Sequence, residues 1–229
     1  MKKLLVAASG LAFGLAIVAW RRARPPEVAP EVPPQPDPAT VTRNLLLYYI
    51  IPLWSAAGVA DWLCHRRTNI ENTTGAKESL IHLLMLAEMG TPVLAGLFLE
   101  ITPPVLGGMI GAFFLHEATA LWDVGYAVTR REVTPVEQHV HSFLELVPLM
   151  AVSFICVLHW RQVRALIGRE VPLGAPIRFK HEPLPRAYLA GALGSMGLLE
   201  GLPYLEELWR DWRAHPGQLV PSEARDAAS

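Results

Sequence analysis

Four apolar runs, at residues 44–64, 79–100, 104–122 and 142–160, constrain this chain more than any other feature. Each is close to the twenty or so residues a helix needs to cross the hydrocarbon core of a bilayer. A backbone in lipid must satisfy its own hydrogen bonds, which restricts such runs to helices. Hydrophobic residues make up 52% of the 229-residue chain, so a water-soluble domain is disfavoured. The net charge of −1 gives no reason to expect a nucleic acid partner. Cys64 and Cys156 lie in or beside apolar runs and read as small core residues, not as a disulfide framework or a thiolate metal site.

The segments around these runs divide the chain further. Residues 1–24 carry two lysines, a long apolar stretch and then Arg21, Arg22 and Arg24. This reads as an uncleaved membrane anchor, with a signal peptide as the alternative. Residues 25–40 are rich in Pro and Glu and predict an extended, solvated linker. Thr102-Pro103-Pro104 predicts a tight turn between two spans, because the residue before a proline is biased away from helix. Residues 41–162 then form the membrane domain, and 163–229 a polar tail. Within the tail, the moderately apolar stretch 187–205 carries Glu200 and Pro203 and reads as an interfacial or re-entrant helix. The expected fold is an all-α integral membrane protein: an anchor helix, a four-helix transmembrane bundle of two hairpins, and a C-terminal interfacial or re-entrant helix.

Five of the eight histidines fall between residues 65 and 141, each with a carboxylate nearby. Asp61 and His65 end the first run of the bundle, and Glu78 and His82 begin the second. His116 and Asp123 end the third, and Glu137, His139 and His141 begin the fourth. Helices that alternate direction therefore bring all four groups to one side of the membrane. Ionisable residues are costly there and generally mark function. Residues four apart share a helix face, so Asp61 pairs with His65, Glu78 with His82 and Glu137 with His141. A spacing of seven pairs His116 with Asp123, while His139 falls on another face. The pattern also repeats weakly: Asp61, Arg66-Arg67 and Glu78-x3-His82 parallel Asp123, Arg130-Arg131 and Glu137-x3-His141.

Nine candidates (Asp61, His65, Glu78, His82, His116, Asp123, Glu137, His139 and His141) exceed what one tetrahedral ion needs. They suit two metal ions held between facing helices. Imidazole and carboxylate without thiolate favour iron, with zinc or manganese as alternatives. The bland readings are specific too. Glu78 opens a helix, where the dipole favours a carboxylate with or without a metal. Asp61 and Asp123 could pair with Arg67 and Arg131.

The arrangement resembles the membrane histidine-box di-iron proteins, the fatty acid desaturases and hydroxylases, over roughly residues 44–160. The likeness is architectural. Those families carry H-x3-H and H-x2-H-H boxes, whereas this chain has D-x3-H and E-x3-H pairs, so no ligand transfers position by position. The resemblance implies oxidation of a lipid or other apolar substrate with O2, an electron donor protein, and residence in a membrane, as in a bacterial inner membrane. The competing expectations are a zinc-dependent membrane hydrolase, a proton or metal transporter, and bis-histidine haem ligation by His82 and His141.

Overall fold

The computed structural model describes residues 35–170 and 177–222. The expected anchor at 1–24 and most of the expected linker lie outside them. The described residues from Ala39 onward belong to one unit. They are helical, and among them the β contact is a single antiparallel bridge between Leu99 and Phe179.

Among the described residues four helices are long and apolar enough to cross a membrane: α1 (Pro38–Thr68), α2 (Ala76–Phe98), α3 (Pro103–Ala127) and α4 (Pro135–Leu158). Each reaches past its apolar run at the end where the ionisable groups lie, so those groups sit on helix and not on loops. Local chemistry sets the boundaries. Asn69 closes α1 in the left-handed conformation (φ 52°), donating its N–H to the His65 carbonyl. Pro103 and Pro135 stand in the first turns of α3 and α4, where a missing N–H costs nothing. Gly75 precedes α2 at φ 67°, and a Cβ there would lie 2.7 Å from the Pro221 ring.

A short helix, α5 (Trp160–Leu166), follows α4. The chain then forms α6 (Arg186–Met196), a π-helical turn at Gly197–Gly201, and α7 (Leu202–Ala214). α2 and α3 pack most closely, joined by the Thr102-Pro103 turn, and α1 packs chiefly on α4. Buried Ile50, Trp54, Met89 and Val147 join α1, α2 and α4 halfway along the bundle. A second cluster of Ile101, Val105, Leu106 and Met109 lies at the end away from the ionisable groups.

The C-terminal helices depart from the sequence reading. α6 and α7 do not form a separate polar tail. They run parallel to α1 and touch it at successive levels. The Tyr188 hydroxyl donates to the Leu47 carbonyl (2.8 Å), and Ser55 to Glu200 (2.5 Å). Tyr204 donates to Asp61 (3.3 Å) and His65 meets Glu207 (2.9 Å). The Leu47 carbonyl lies in a π-helical segment of α1, Leu46–Ile50, where the regular ladder is interrupted. α7 also packs on α2, so this pair of helices flanks both members of the first expected hairpin. Its polarity is inverted relative to a soluble helix: Leu202, Leu205, Trp209 and Trp212 face outward, while Tyr204, Glu207 and Asp211 are buried.

Candidate metal centre

The ionisable groups converge where α1 and α3 end and α2 and α4 begin. Asp61 and His65, one turn apart on α1, are both buried, as are Glu78 and His82 on α2. Asp123 and His116 on α3 and Glu137 on α4 are buried too, and His141 is partly so. Two groups bring ligand atoms within 4.8 Å of one another: Asp61, His65 and His141, and His65, Glu78 and His82. His65 belongs to both, which makes the two groups one continuous centre.

Glu207 of α7 organises it. One oxygen of its carboxylate lies 2.9 Å from His65 Nδ1 and the other 2.7 Å from His82 Nδ1. The two rings stack in parallel, with centroids 4.4 Å apart. A carboxylate on Nδ1 fixes the hydrogen there and turns each Nε2 lone pair the other way, as second-shell carboxylates do in metal sites. Burial opposes ionisation of Glu207, but His65 and His82 outweigh it and hold its pKa at about 2.

The Nε2 atoms then face carboxylates. His65 Nε2 is 3.5 Å from both Asp61 Oδ1 and Glu137 Oε1, His82 Nε2 is 3.4 Å from Asp123 Oδ2, and His141 Nε2 is 3.0 Å from Asp61 Oδ1. The buried atoms Asp61 Oδ1, His65 Nε2, His82 Nε2 and Asp123 Oδ1 have no hydrogen-bond partner of adequate geometry among the described residues. Two donors each about 2.1 Å from one ion lie roughly 3.0–3.4 Å apart, so these spacings match the edges of a coordination shell. Leaving such atoms unmatched in the interior is costly, which makes the donor set a good fit for metal ions.

Arg131 holds the remaining carboxylates. Its guanidinium lies 2.6 Å from Glu78 and 2.5 Å from Glu137, and all three side chains are nearly inaccessible. The alternative pairing of Asp123 with Arg131 is thus not the one formed, and Arg67 is exposed. The Thr134 hydroxyl caps α4 by accepting from the Glu137 N–H (3.2 Å), while the Glu137 carboxylate goes to Arg131. Asp61, Glu78, Asp123, Glu137 and Glu207 are buried around one guanidinium, and Glu88, Glu200 and Asp211 are buried close by.

His116 lines a small cavity of about 50 Å3 with Asp61, His82, Asp123 and His141. Among the described residues neither of its ring nitrogens has a hydrogen-bond partner, and Nδ1 is 3.9 Å from Glu88. His139 stands apart: it is exposed, with its ring edge-on to Phe143. Five of the nine sequence candidates form the two close groups, Asp123 and Glu137 lie 3.4 Å and 3.5 Å from His82 and His65, and His116 lines the adjoining cavity.

Sequence reasoning missed Glu207 and its neighbours. The Ser79 hydroxyl donates to Asp211 (2.6 Å) and Glu207 (3.1 Å), and burial lifts the Asp211 carboxyl to about 7 although the Ser79 bond opposes this. A signal was present: Glu207-x3-Asp211 has the same spacing as the other motifs, on the face opposite Leu202, Leu205 and Trp209. Compared with known proteins, the chain matches no family model, no curated protein and no solved structure.

Proposed function

We propose that this chain is an integral membrane di-metal oxidoreductase, with two irons, that uses O2 on an apolar substrate. The observation that carries the reading is the Glu207 bridge. One buried carboxylate turns the unpartnered Nε2 atoms of both His65 and His82 toward the carboxylates of Asp61, Glu137 and Asp123. On this reading Asp61, His65, Glu137 and His141 hold one ion, and Glu78, His82, His116 and Asp123 the other. The thiol-free, carboxylate-rich donor set favours iron over softer ions. Bound iron supplies O2 binding and C–H oxidation. The chain's residues do the rest: Glu207 keeps two rings in one tautomer, Arg131 offsets the charge of Glu78 and Glu137, and the apolar helices exclude water. An electron donor protein completes the reaction, and a bacterial inner membrane is a suitable setting.

Metal quantification on anaerobically purified full-length protein, with Mössbauer and EPR spectroscopy, tests the proposal. About two irons per chain are expected, and His82→Ala and His141→Ala should each lose metal. Zinc alone would overturn the redox reading in favour of hydrolysis. Full metal content in both variants would overturn the site.

A further inference from the structure

Helices α6 and α7, joined by the π-helical turn at Gly197–Gly201, make one helical rod from Arg186 to Ala214. The rod rises about 43 Å, enough to cross a bilayer with turns to spare. Its contacts keep step with α1. Tyr188 meets Leu47, Glu200 meets Ser55, Tyr204 meets Asp61 and Glu207 meets His65, at sequence separations of 141, 145, 143 and 142. A nearly constant separation over four levels belongs to two parallel helices side by side, not to a helix lying across the body. From Leu47 to His65 α1 rises about 27 Å, close to the thickness of a hydrocarbon core.

The side chains of the rod are sorted to suit that depth. Between Ala187 and Leu205 the one charged residue is Glu200, which is buried and accepts the Ser55 hydroxyl. The other polar side chains of this stretch are satisfied inside the protein: Tyr188 on Leu47, Ser195 on Ala192 (2.9 Å) and Tyr204 on Asp61. The outward positions hold Leu193, Leu198, Leu202 and Leu205. The exposed charges of the rod are Arg186 and Arg213, one at each end. Trp209 and Trp212 turn outward near the second end, where Trp122 of α3 is also exposed, as aromatic residues do at a membrane interface. A helix lying in the interface has the opposite build, with its polar face turned to water. A re-entrant segment would turn back before reaching the second end.

We propose that Arg186–Ala214 is a fifth transmembrane span and that its outward leucine face lies against lipid acyl chains. The spans then number five among the described residues. The chain therefore enters the bundle at Pro38 on one side of the membrane and leaves it after Ala214 on the other. The leaving segment stays at the end that holds the metal centre: Lys77 N–H donates to the Leu219 carbonyl (2.9 Å), and Pro221 lies against Gly75. The span needs no metal and stands apart from the function proposed above.

Cysteine labelling in intact cells tests the topology. The unaltered full-length protein is compared with Ala39→Cys and with Ser222→Cys, both exposed positions, using a maleimide that does not cross membranes. Cys64 and Cys156 lie within spans, so the unaltered chain should stay unlabelled. One variant should label in intact cells and the other only after the membrane is permeabilised. Labelling of both under the same condition would put both ends on one side and overturn the fifth span. Spin labels on Leu193→Cys, Leu198→Cys, Leu202→Cys and Leu205→Cys read the lipid contact in phosphatidylcholine vesicles, with Cys64→Ala and Cys156→Ala as background. Collision with oxygen should exceed collision with a water-soluble nickel chelate at all four, most strongly at Leu198. Greater access to the chelate would place the face in water, and low access to both would place a second protein chain on it; either result overturns the lipid contact. Leu198→Lys, which keeps both native cysteines, gives an independent reading. It should lower the unfolding temperature in vesicles, because a charge in hydrocarbon is costly, and an unchanged temperature would put the position in water.

Discussion

The two ends of the helical body bury opposite things. Where α1 ends and α2 begins, the interior holds carboxylates, imidazoles and one guanidinium, with two groups of three whose ligand atoms lie within 4.8 Å of one another. Where α2 ends and α3 begins, it holds aliphatic side chains around an open space, with basic groups only at the rim. Trp54 marks the boundary. The contrast shows how such a bundle can carry many charges without exposing them to lipid. Most of the buried ionisable residues of the long helices lie within about two turns of the ends of α1 and α3 and the starts of α2 and α4, with Glu88 and His116 deeper in α2 and α3. α7 then covers them with a face that is acidic inside and apolar outside. Charges spread along the spans would each carry a desolvation cost with no shared counter-ion.

Changes at the charged end should therefore differ sharply with what each group touches, and four substitutions test this. Arg131→Met strands Glu78 and Glu137 as buried, unpaired charges, and should destabilise the metal-free protein by about 3–5 kcal/mol. Thermal unfolding in detergent measures this, and a small shift would mean that the charged end is less dry than its burial indicates. Next, Glu207→Ala should weaken metal binding about 10–100-fold while the helical content is kept. Retained affinity in a chelator titration would remove α7 from the metal centre. Gly75→Ala forces a Cβ into a left-handed position against Pro221, for a cost of about 1–2 kcal/mol in unfolding. Smallest of all, His139→Ala should change stability by less than about 0.5 kcal/mol and leave metal content at the wild-type level. Loss of metal there would show that α4 turns to present a different face.

Much of the charged end was legible in the sequence, and for simple reasons. Apolar runs of membrane length fix the helix directions, and spacings of four and seven fix the faces. Together these bring Asp61, His65, Glu78, His82, His116, Asp123, Glu137 and His141 to one place. The same face argument sets His139 aside, since two residues of helix turn a side chain by more than half a revolution. The C-terminal helices were not legible in the same way. Their mean hydropathy is lowered by the acidic residues they bury, so a helix that turns Leu202, Leu205 and Trp209 outward looks like a surface segment. Arg131 was visible as a cation but its partners were not, because a connector's path is set by tertiary packing. Gly58 gives a further instance: a Cβ there would meet Glu200 at 3.5 Å, a closeness that only the packed helices reveal.

The Glu207 bridge has a consequence for how the protein is made. His82 and His65 precede the carboxylate that orients them by 125 and 142 residues. During synthesis the four apolar helices can enter the membrane and pair while both imidazoles are still free to rotate and exchange tautomers. The centre gains its final geometry only when α7 docks beside α1 and α2. The arrangement of the two imidazoles is thereby coupled to the docking of α7, and a product that stops short of α7 would carry these residues without the group that orients them.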